Sequence, residues 1–200
     1  MKYIIMAGGQ GTRWNNYKNI PKHLVKINGE NFLERIVRQL KENGVKDIII
    51  TSSDSRYEVE GAKRYEPIYE NKAYNLFNYE LLNEPMIFLY GDTYYNDSVI
   101  KSIINTKTDK LLYFGTKQSI IGIKVIDYDY FKNLVKEVAK LPESKINGWA
   151  TYQVSNNLKF GCKDIKDNFL LFNEDIINMN SPKEYKELLK NNNKDGVNND

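Results

Sequence analysis

The chain has 200 residues, of which 41% are hydrophobic, a length and make-up that suit one domain with one sizeable core. Its 29 Lys and Arg against 26 Asp and Glu leave a net charge of +3 with acids interspersed among the bases, which argues for no nucleic-acid-binding face but suits a pocket for anionic ligands. Cys162 is the only cysteine, which excludes an internal disulfide and zinc sites built on paired cysteines; this fits a reducing cytoplasm, and the apolar runs are far too short to span a bilayer.

Residues 2–6 predict a first buried strand, because glycines interrupt the apolar start before a signal-type segment develops. After the glycine loop, residues 24–27 read as a short extended piece. Phe32, Ile36, Val37 and Leu40 then share one helix face, with Asn31 as cap, Glu34 as the third helical residue and Gly44 as the stop. Residues 47–51 predict a second strand, 65–69 a third, 75–82 a helix, and 86–90 an apolar strand ending at Gly91-Asp92. A helix at 99–104, strands at 111–114 and 120–126, and a helix at 131–139 follow. Residues 142–163 look irregular or made of short strands, 169–172 form a late strand, and 182–190 the last helix, with Ser181 as N-cap and Glu184 completing a capping box. Residues 191–200, rich in asparagine and aspartate, predict a disordered tail after a single domain over 1–190. The alternation implies an α/β fold: a Rossmann-like domain with a mostly parallel mixed sheet covered by helices, and a site at the carboxyl ends of the strands.

Two features occupy such ends. Gly8, Gly9 and Gly11 let backbone N–H groups turn inward to cradle phosphate oxygens, and Arg13 adds a charged multi-donor fork. The loop is neither a P-loop, since Gly11-Thr12-Arg13 lacks the Gly-Lys-Ser/Thr ending, nor the Rossmann fingerprint, since Trp14 stands where a third glycine is needed. The blander reading is a tight strand-to-loop turn. The other feature is Asp92, placed after an apolar strand and a glycine; an aspartate there is also a common turn residue.

Residues Ile4-Ile5-Met6-Ala7-Gly8-Gly9-Gln10-Gly11-Thr12-Arg13, followed by Pro21-Lys22-His23-Leu24, resemble the signature of the nucleotidyltransferase superfamily that activates sugar phosphates and other small phosphates. The resemblance covers residues 1 to about 190. It implies a single Rossmann-like nucleotidyltransferase domain and a reaction dependent on Mg²⁺ or Mn²⁺. It also implies catalytic contacts from Arg13 and Lys22 to the reacting phosphates, and nucleotide contacts from Ala7, Gly8, Gly9, Gly11 and Thr12. Asp92 resembles the family's Gly-Asp metal site. Asn178-Met179-Asn180-Ser181-Pro182-Lys183-Glu184 resembles the second metal motif with asparagine in place of a carboxylate; Asn180 is the expected ligand and Asn178 an outer reserve. The same likeness makes Asn71 and Asn75 readers of base edges and Tyr74 a stacking partner, though a helix cap and core packing would equally explain them. Lys117, Trp149 and Tyr152 are the expected acceptor contacts, against the plainer reading that such aromatics simply pack. His23, the only histidine, takes no catalytic part, because an already ionised phosphate needs no general base.

The compact chain is most similar to the cytidylyltransferases of bacterial surface-polymer and capsule pathways, such as those acting on phosphocholine, and within that group to those joining CTP to phosphoglutamine. The expected partners are a nucleoside triphosphate, with CTP foremost, and a small phosphorylated acceptor; no nucleic acid and no membrane; a monomer or homodimer; and a cytoplasmic location. Two other classes stay open. A glycosyltransferase of related fold would normally carry Asp-x-Asp after the central strand, where this chain has Asp92-Thr93-Tyr94. A non-catalytic nucleotide-binding module is favoured only by the asparagines of the second metal motif.

Overall fold

The structure is a computed structural model that describes residues 1–9, 11–173 and 176–195, without the side chains of residues 12 and 192–195. In chain order its strands and α-helices are β1 (Lys2–Met6), β2 (Lys26–Ile27), β3 (Glu30–Asn31), α1 (Phe32–Glu42), β4 (Ile48–Thr51), β5 (Lys63–Tyr65), α2 (Lys72–Leu76), β6 (Met86–Tyr90), β7 (Thr93–Tyr94), α3 (Asp97–Asn105), β8 (Leu111–Gly115), β9 (Ile120–Val125), α4 (Tyr128–Ala139), α5 (Ala150–Ser155), β10 (Phe169–Leu171), β11 (Ile177–Asn178) and α6 (Pro182–Asp195).

Seven strands form one sheet in the order β10-β8-β9-β6-β1-β4-β5. Every pairing is parallel except the two made by β9, which runs against both β6 and β8. Alternate residues of the central strands serve opposite faces, as the two-residue period of a strand requires. Ile4, Met6, Met86 and Phe88 meet α2, α4 and α5 on one face. Tyr3, Ile5, Ile87 and Leu89 meet α1 and α3 on the other. A third, smaller core gathers Trp14, Val25, Ile27, Phe32, Met179, Tyr185 and Leu188, so α6 closes over the segment that follows the glycine loop.

Local signals decide several boundaries. Asn31 and Glu34 form the expected capping box at the start of α1, with both hydrogen bonds made. Asp127 caps α4 by accepting the Tyr130 N–H at 2.9 Å. Ser181 and Glu184 form the reciprocal contacts expected at the start of α6, with the Ser181 N–H donating to Glu184 at 2.7 Å.

Four expectations need correction. The third strand lies at Lys63–Tyr65, not 65–69, and pairs with β4 at the sheet edge. The helix expected over 75–82 begins at Lys72, because Asn71 caps it, and Asn78 at φ 47° then breaks it into a separate turn of 3-10 helix at Tyr79–Leu81. Residues 142–163 contain a helix, α5, in which Ala150, Thr151, Tyr152 and Gln153 are all buried; a helix buried all round shows no amphipathic period. Helix α6 runs on to Asp195, so the first five residues of the expected tail continue a helix, while residues 196–200 lie outside the described residues.

Candidate active site

Strand β1 is flanked by β4 and β6, so the chain winds outward through β4 and β5 and then crosses back to β6. Such a reversal opens a crevice at the carboxyl ends of the strands. The glycine loop leaves β1 on one side of this crevice and Gly91-Asp92 leaves β6 on the other. Gly91 lets the two strand ends approach: its N–H donates to the Met6 carbonyl at 2.9 Å, and a Cβ there would lie 3.0 Å from that same oxygen.

The loop is held from behind. Trp14, only 2% exposed, packs edge-on against Tyr17 and Tyr185 and donates its indole N–H to the Ile20 carbonyl at 2.8 Å. Gly11, Asn15, Asn16, Lys18 and Asn19 all take left-handed backbone conformations. Glycine and asparagine tolerate that region best, which accounts for the composition of this turn. The residue that breaks the Rossmann fingerprint is therefore the anchor of the loop.

Beyond this turn, Pro21 leads into a short 3-10 helix that buries Lys22 and His23. Lys22 Nζ forms an ion pair with Asp92 Oδ2 across the crevice, and the lysine is 8% exposed. His23 shares a hydrogen bond between Nδ1 and the Tyr57 hydroxyl at 2.9 Å. Burial lowers its pKa to about 4, against the opposing pull of Asp92, so the ring is neutral near pH 7. That fits a supporting role beneath Lys22.

The carboxyl end of the chain reaches the same place through a connection that no sequence pattern announces. Strand β11 pairs antiparallel with β7, and the Met179 N–H donates to the Asp92 carbonyl at 2.6 Å. Asn180 Oδ1 then accepts from Arg13 Nη2 at 2.9 Å. Asn178 Oδ1 accepts from the Thr93 hydroxyl at 2.6 Å and serves the strand pair instead. The four predicted groups Arg13, Lys22, Asp92 and Asn180 thus form two pairs, Lys22 with Asp92 and Arg13 with Asn180; Lys22 and Asp92 line a common cavity, and Arg13 and Asn180 do not.

A cavity of about 740 Å³ spreads from the glycine loop over Lys22 and Asp92 to Tyr90 and Gly148. A second hollow of about 330 Å³ shares Gly8, Gly9, Gly11 and Lys22 and extends to Ser53 and Arg56. Ala7 lines this second hollow with the glycines. The backbone of Thr12 begins the 3-10 turn carrying Arg13, and its side chain lies outside the described residues.

Other predicted residues sit elsewhere. Asn71 Oδ1 accepts the Ala73 N–H at 2.9 Å, so it is the helix cap, and it does not line the cavity. Tyr74 packs against Tyr69 and Tyr79, with ring centroids 5.4 and 4.6 Å away, and is absent from the lining as well. Asn75 does line the cavity, with its carbonyl oxygen held by the Tyr69 N–H at 3.0 Å. Tyr152 is 0% exposed and spends its hydroxyl on the Asp164 carbonyl and the Lys166 N–H, both at 2.8 Å. Trp149 stacks on Phe169 at 5.7 Å. Lys117 is exposed on the turn between β8 and β9. None of these last three lines the cavity; it is lined instead by Tyr90, Glu143, Ile146, Asn147 and Gly148, with Glu70 and Lys72. Those residues carry no motif; Lys72 donates to the Glu143 carbonyl at 2.8 Å and ties the start of α2 to the segment before α5.

Among the described residues no three of His, Cys, Asp and Glu assemble into a metal cage. The oxygen donors here are the Asp92 carboxylate, paired with Lys22, and the Asn180 amide, paired with Arg13; hard oxygens of this kind suit magnesium, which usually keeps waters and phosphate oxygens as further ligands.

Residues 3–77 match the family described as the MobA-like NTP transferase domain. The CTP:phosphocholine cytidylyltransferase of Streptococcus pneumoniae superposes with a TM-score of 0.64 at 20% identity, covering 94% of this chain and 97% of that one. The chain shares the fold of that nucleotidyltransferase. The inositol-1-phosphate CTP transferase of T. maritima agrees, with a TM-score of 0.64, 14% identity and coverage of 98% and 96%. By sequence, the D-glycero-alpha-D-manno-heptose 1-phosphate guanylyltransferase of Campylobacter jejuni is 42% identical over 66 residues, 32% of this chain and 28% of that protein. The choline-phosphate cytidylyltransferase of Streptococcus pneumoniae is 47% identical over 51 residues, 25% of this chain and 22% of that protein. The matched stretch is thus about a quarter of the length of these curated relatives. No helix among the described residues is long and apolar enough to cross a membrane.

Proposed function

We propose that the chain is a nucleotidyltransferase that moves a nucleoside monophosphate from a nucleoside triphosphate onto a small phosphorylated acceptor, releasing pyrophosphate. The observation that carries this reading is the pairing of Lys22 with Asp92 in the cavity beside the glycine loop, with Arg13 at the end of that loop paired to Asn180. An acceptor phosphate oxygen attacks the α-phosphorus in line while pyrophosphate leaves. Both reactants are anions, so the protein's task is to position them and neutralise charge. The loop N–H groups hold phosphate oxygens, Lys22 bridges the reacting phosphates, and Arg13 draws charge off the departing pyrophosphate. Asp92 and Asn180 would hold Mg²⁺ or Mn²⁺, which supplies further neutralisation when bound.

CTP is the favoured donor, on the strength of similarity to two cytidylyltransferases by fold and one by sequence. The guanylyltransferase similarity makes GTP the runner-up. The acceptor reading extends to phosphoglutamine and capsule precursors, and a substrate drawn from the nucleotide pool puts the work in the cytoplasm. A glycosyltransferase reading fares worse, because Thr93 and Tyr94 pair with β11 in place of a second metal-binding aspartate. The test is a screen of four NTPs against phosphorylated acceptors for Mg²⁺-dependent pyrophosphate release. Release of nucleoside diphosphate from nucleotide sugars, with no pyrophosphate from any NTP, would overturn the proposal.

A further inference from the structure

Tyr90 ends β6 two residues before Asp92, with its ring against the core on the α4 and α5 side. Its hydroxyl is buried and has no hydrogen-bond partner. A phenol in this position is normally satisfied by protein or water, so an orphan lining a cavity marks a place where a ligand atom belongs. The strap that includes Ile146, Asn147 and Gly148 closes over it: a Cβ at Gly148 would lie 2.2 Å from the hydroxyl oxygen. A glycine is therefore required for that approach.

The rest of this wall is polar. Glu70, Lys72, Glu143 and Asn147 line the cavity with Tyr90, while Trp149 and Tyr152 are turned into the core. A quaternary ammonium group is held by several aromatic faces; among the described residues lining this cavity the aromatic rings are those of Tyr90 and His23.

Resting on the nucleotidyl-transfer reading above, we infer that Tyr90 is the acceptor-specificity residue, its hydroxyl donating to an uncharged carbonyl or hydroxyl oxygen on the acceptor, with Gly148 as the residue that permits it. The site takes small phosphorylated compounds bearing an amide or hydroxyl group in preference to those bearing a quaternary ammonium. A site built to satisfy a polar group rejects analogues that lack it far more strongly than an apolar pocket discriminates by size.

The experiment measures pyrophosphate release with CTP and GTP against phosphocholine, glycerol 3-phosphate, glucose 1-phosphate and phosphoglutamine. One of the polar acceptors is expected to exceed phosphocholine by at least roughly tenfold in kcat/KM. Tyr90→Phe should lower kcat/KM for that acceptor about 10- to 100-fold through KM, with the KM for the nucleotide held within about twofold. Gly148→Ala should raise the acceptor KM in the same way. Melting curves give a readout independent of turnover. Tyr90→Phe should melt no lower than the parent, because it removes an unsatisfied hydroxyl, yet lose the upward Tm shift that the preferred acceptor gives the parent. Preference for phosphocholine, or unchanged acceptor kinetics in Tyr90→Phe, overturns the inference and leaves nucleotidyl transfer standing. Absence of pyrophosphate with every pair overturns both.

Discussion

The two walls of the crevice are built in different ways. The wall nearer the N-terminus is almost one continuous segment: β1, the glycine loop, the Trp14 anchor and Lys22 follow one another within two dozen residues. The facing wall is assembled from distant pieces, with Tyr90 and Asp92 from the end of β6 and Gly148 from a strap before α5, while the β7–β11 pair brings Asn180 to Arg13 beside it. Similarity follows the same division. The family match spans residues 3–77, whereas likeness in fold extends over 94% of the chain at 20% identity. A contiguous phosphate cradle constrains its own residues directly, because the backbone itself does the binding. An assembled wall needs only the right shape, and many sequences supply that.

The sharpest way to break this comparison is at the pair that joins the walls. Lys22→Ala should reduce pyrophosphate release by roughly two to three orders of magnitude, the scale seen when one preorganised charge-stabilising donor is lost. Asp92→Ala should match it. If either variant keeps near-parental kcat, the crevice between β1 and β6 is not where the chemistry happens. Next in size is the anchor of the first wall. Trp14→Ala should lower unfolding free energy by about 3–5 kcal/mol in urea titrations, as for other buried large-to-small changes. It should also raise the nucleotide KM while leaving the acceptor KM nearly fixed. Equal rises in both would mean that the walls are not held independently.

The sequence made the first wall legible for the reason it is contiguous: glycine spacing, Arg13 and Pro21-Lys22 lie in one reading frame of a few turns. The central strands were legible because each is an unbroken apolar run, and α1 because Asn31 and Glu34 declare its start. Of the second wall and its surroundings only Asp92 and Asn180 were, each through a short motif. Tyr152 and Trp149 are aromatic in an unpatterned stretch, so they looked available for a ligand, yet they pack on Phe169 and Tyr113 in the core. The two-residue strands β7 and β11 carry no period at all, although they set Asn180 beside Arg13. Tyr90 was hidden in plain view, as one more apolar residue at the end of a buried strand.

His23 tests the burial beneath Lys22 without touching the phosphates. Its folded pKa of about 4 lies below the usual 6.5, so between those values the unfolded chain binds more protons than the folded one. Stability should therefore be fully present above pH 6.5 and fall as pH drops toward 4, by about 3 kcal/mol in all. Urea midpoints from pH 7 to 4 would record it, and His23→Asn should flatten that part of the profile. An equally steep decline in the variant would assign the acid sensitivity to other groups.

The smallest effect separates two asparagines four residues apart. Asn71 accepts the Ala73 N–H as the cap of α2, while Asn75 lines the cavity. Asn71→Ala should cost about 1 kcal/mol of stability, the usual loss for a cap, and leave the nucleotide KM within about twofold. Asn75→Ala should instead raise that KM several-fold, roughly the effect of one hydrogen bond to a neutral ligand group. Because Asn75 also steadies the Tyr69 N–H, some stability is lost with it, and the ratio of the two effects carries the distinction. A KM that rises with Asn71→Ala and holds with Asn75→Ala would move the base to the other side of α2, outside the cavity that the first wall encloses.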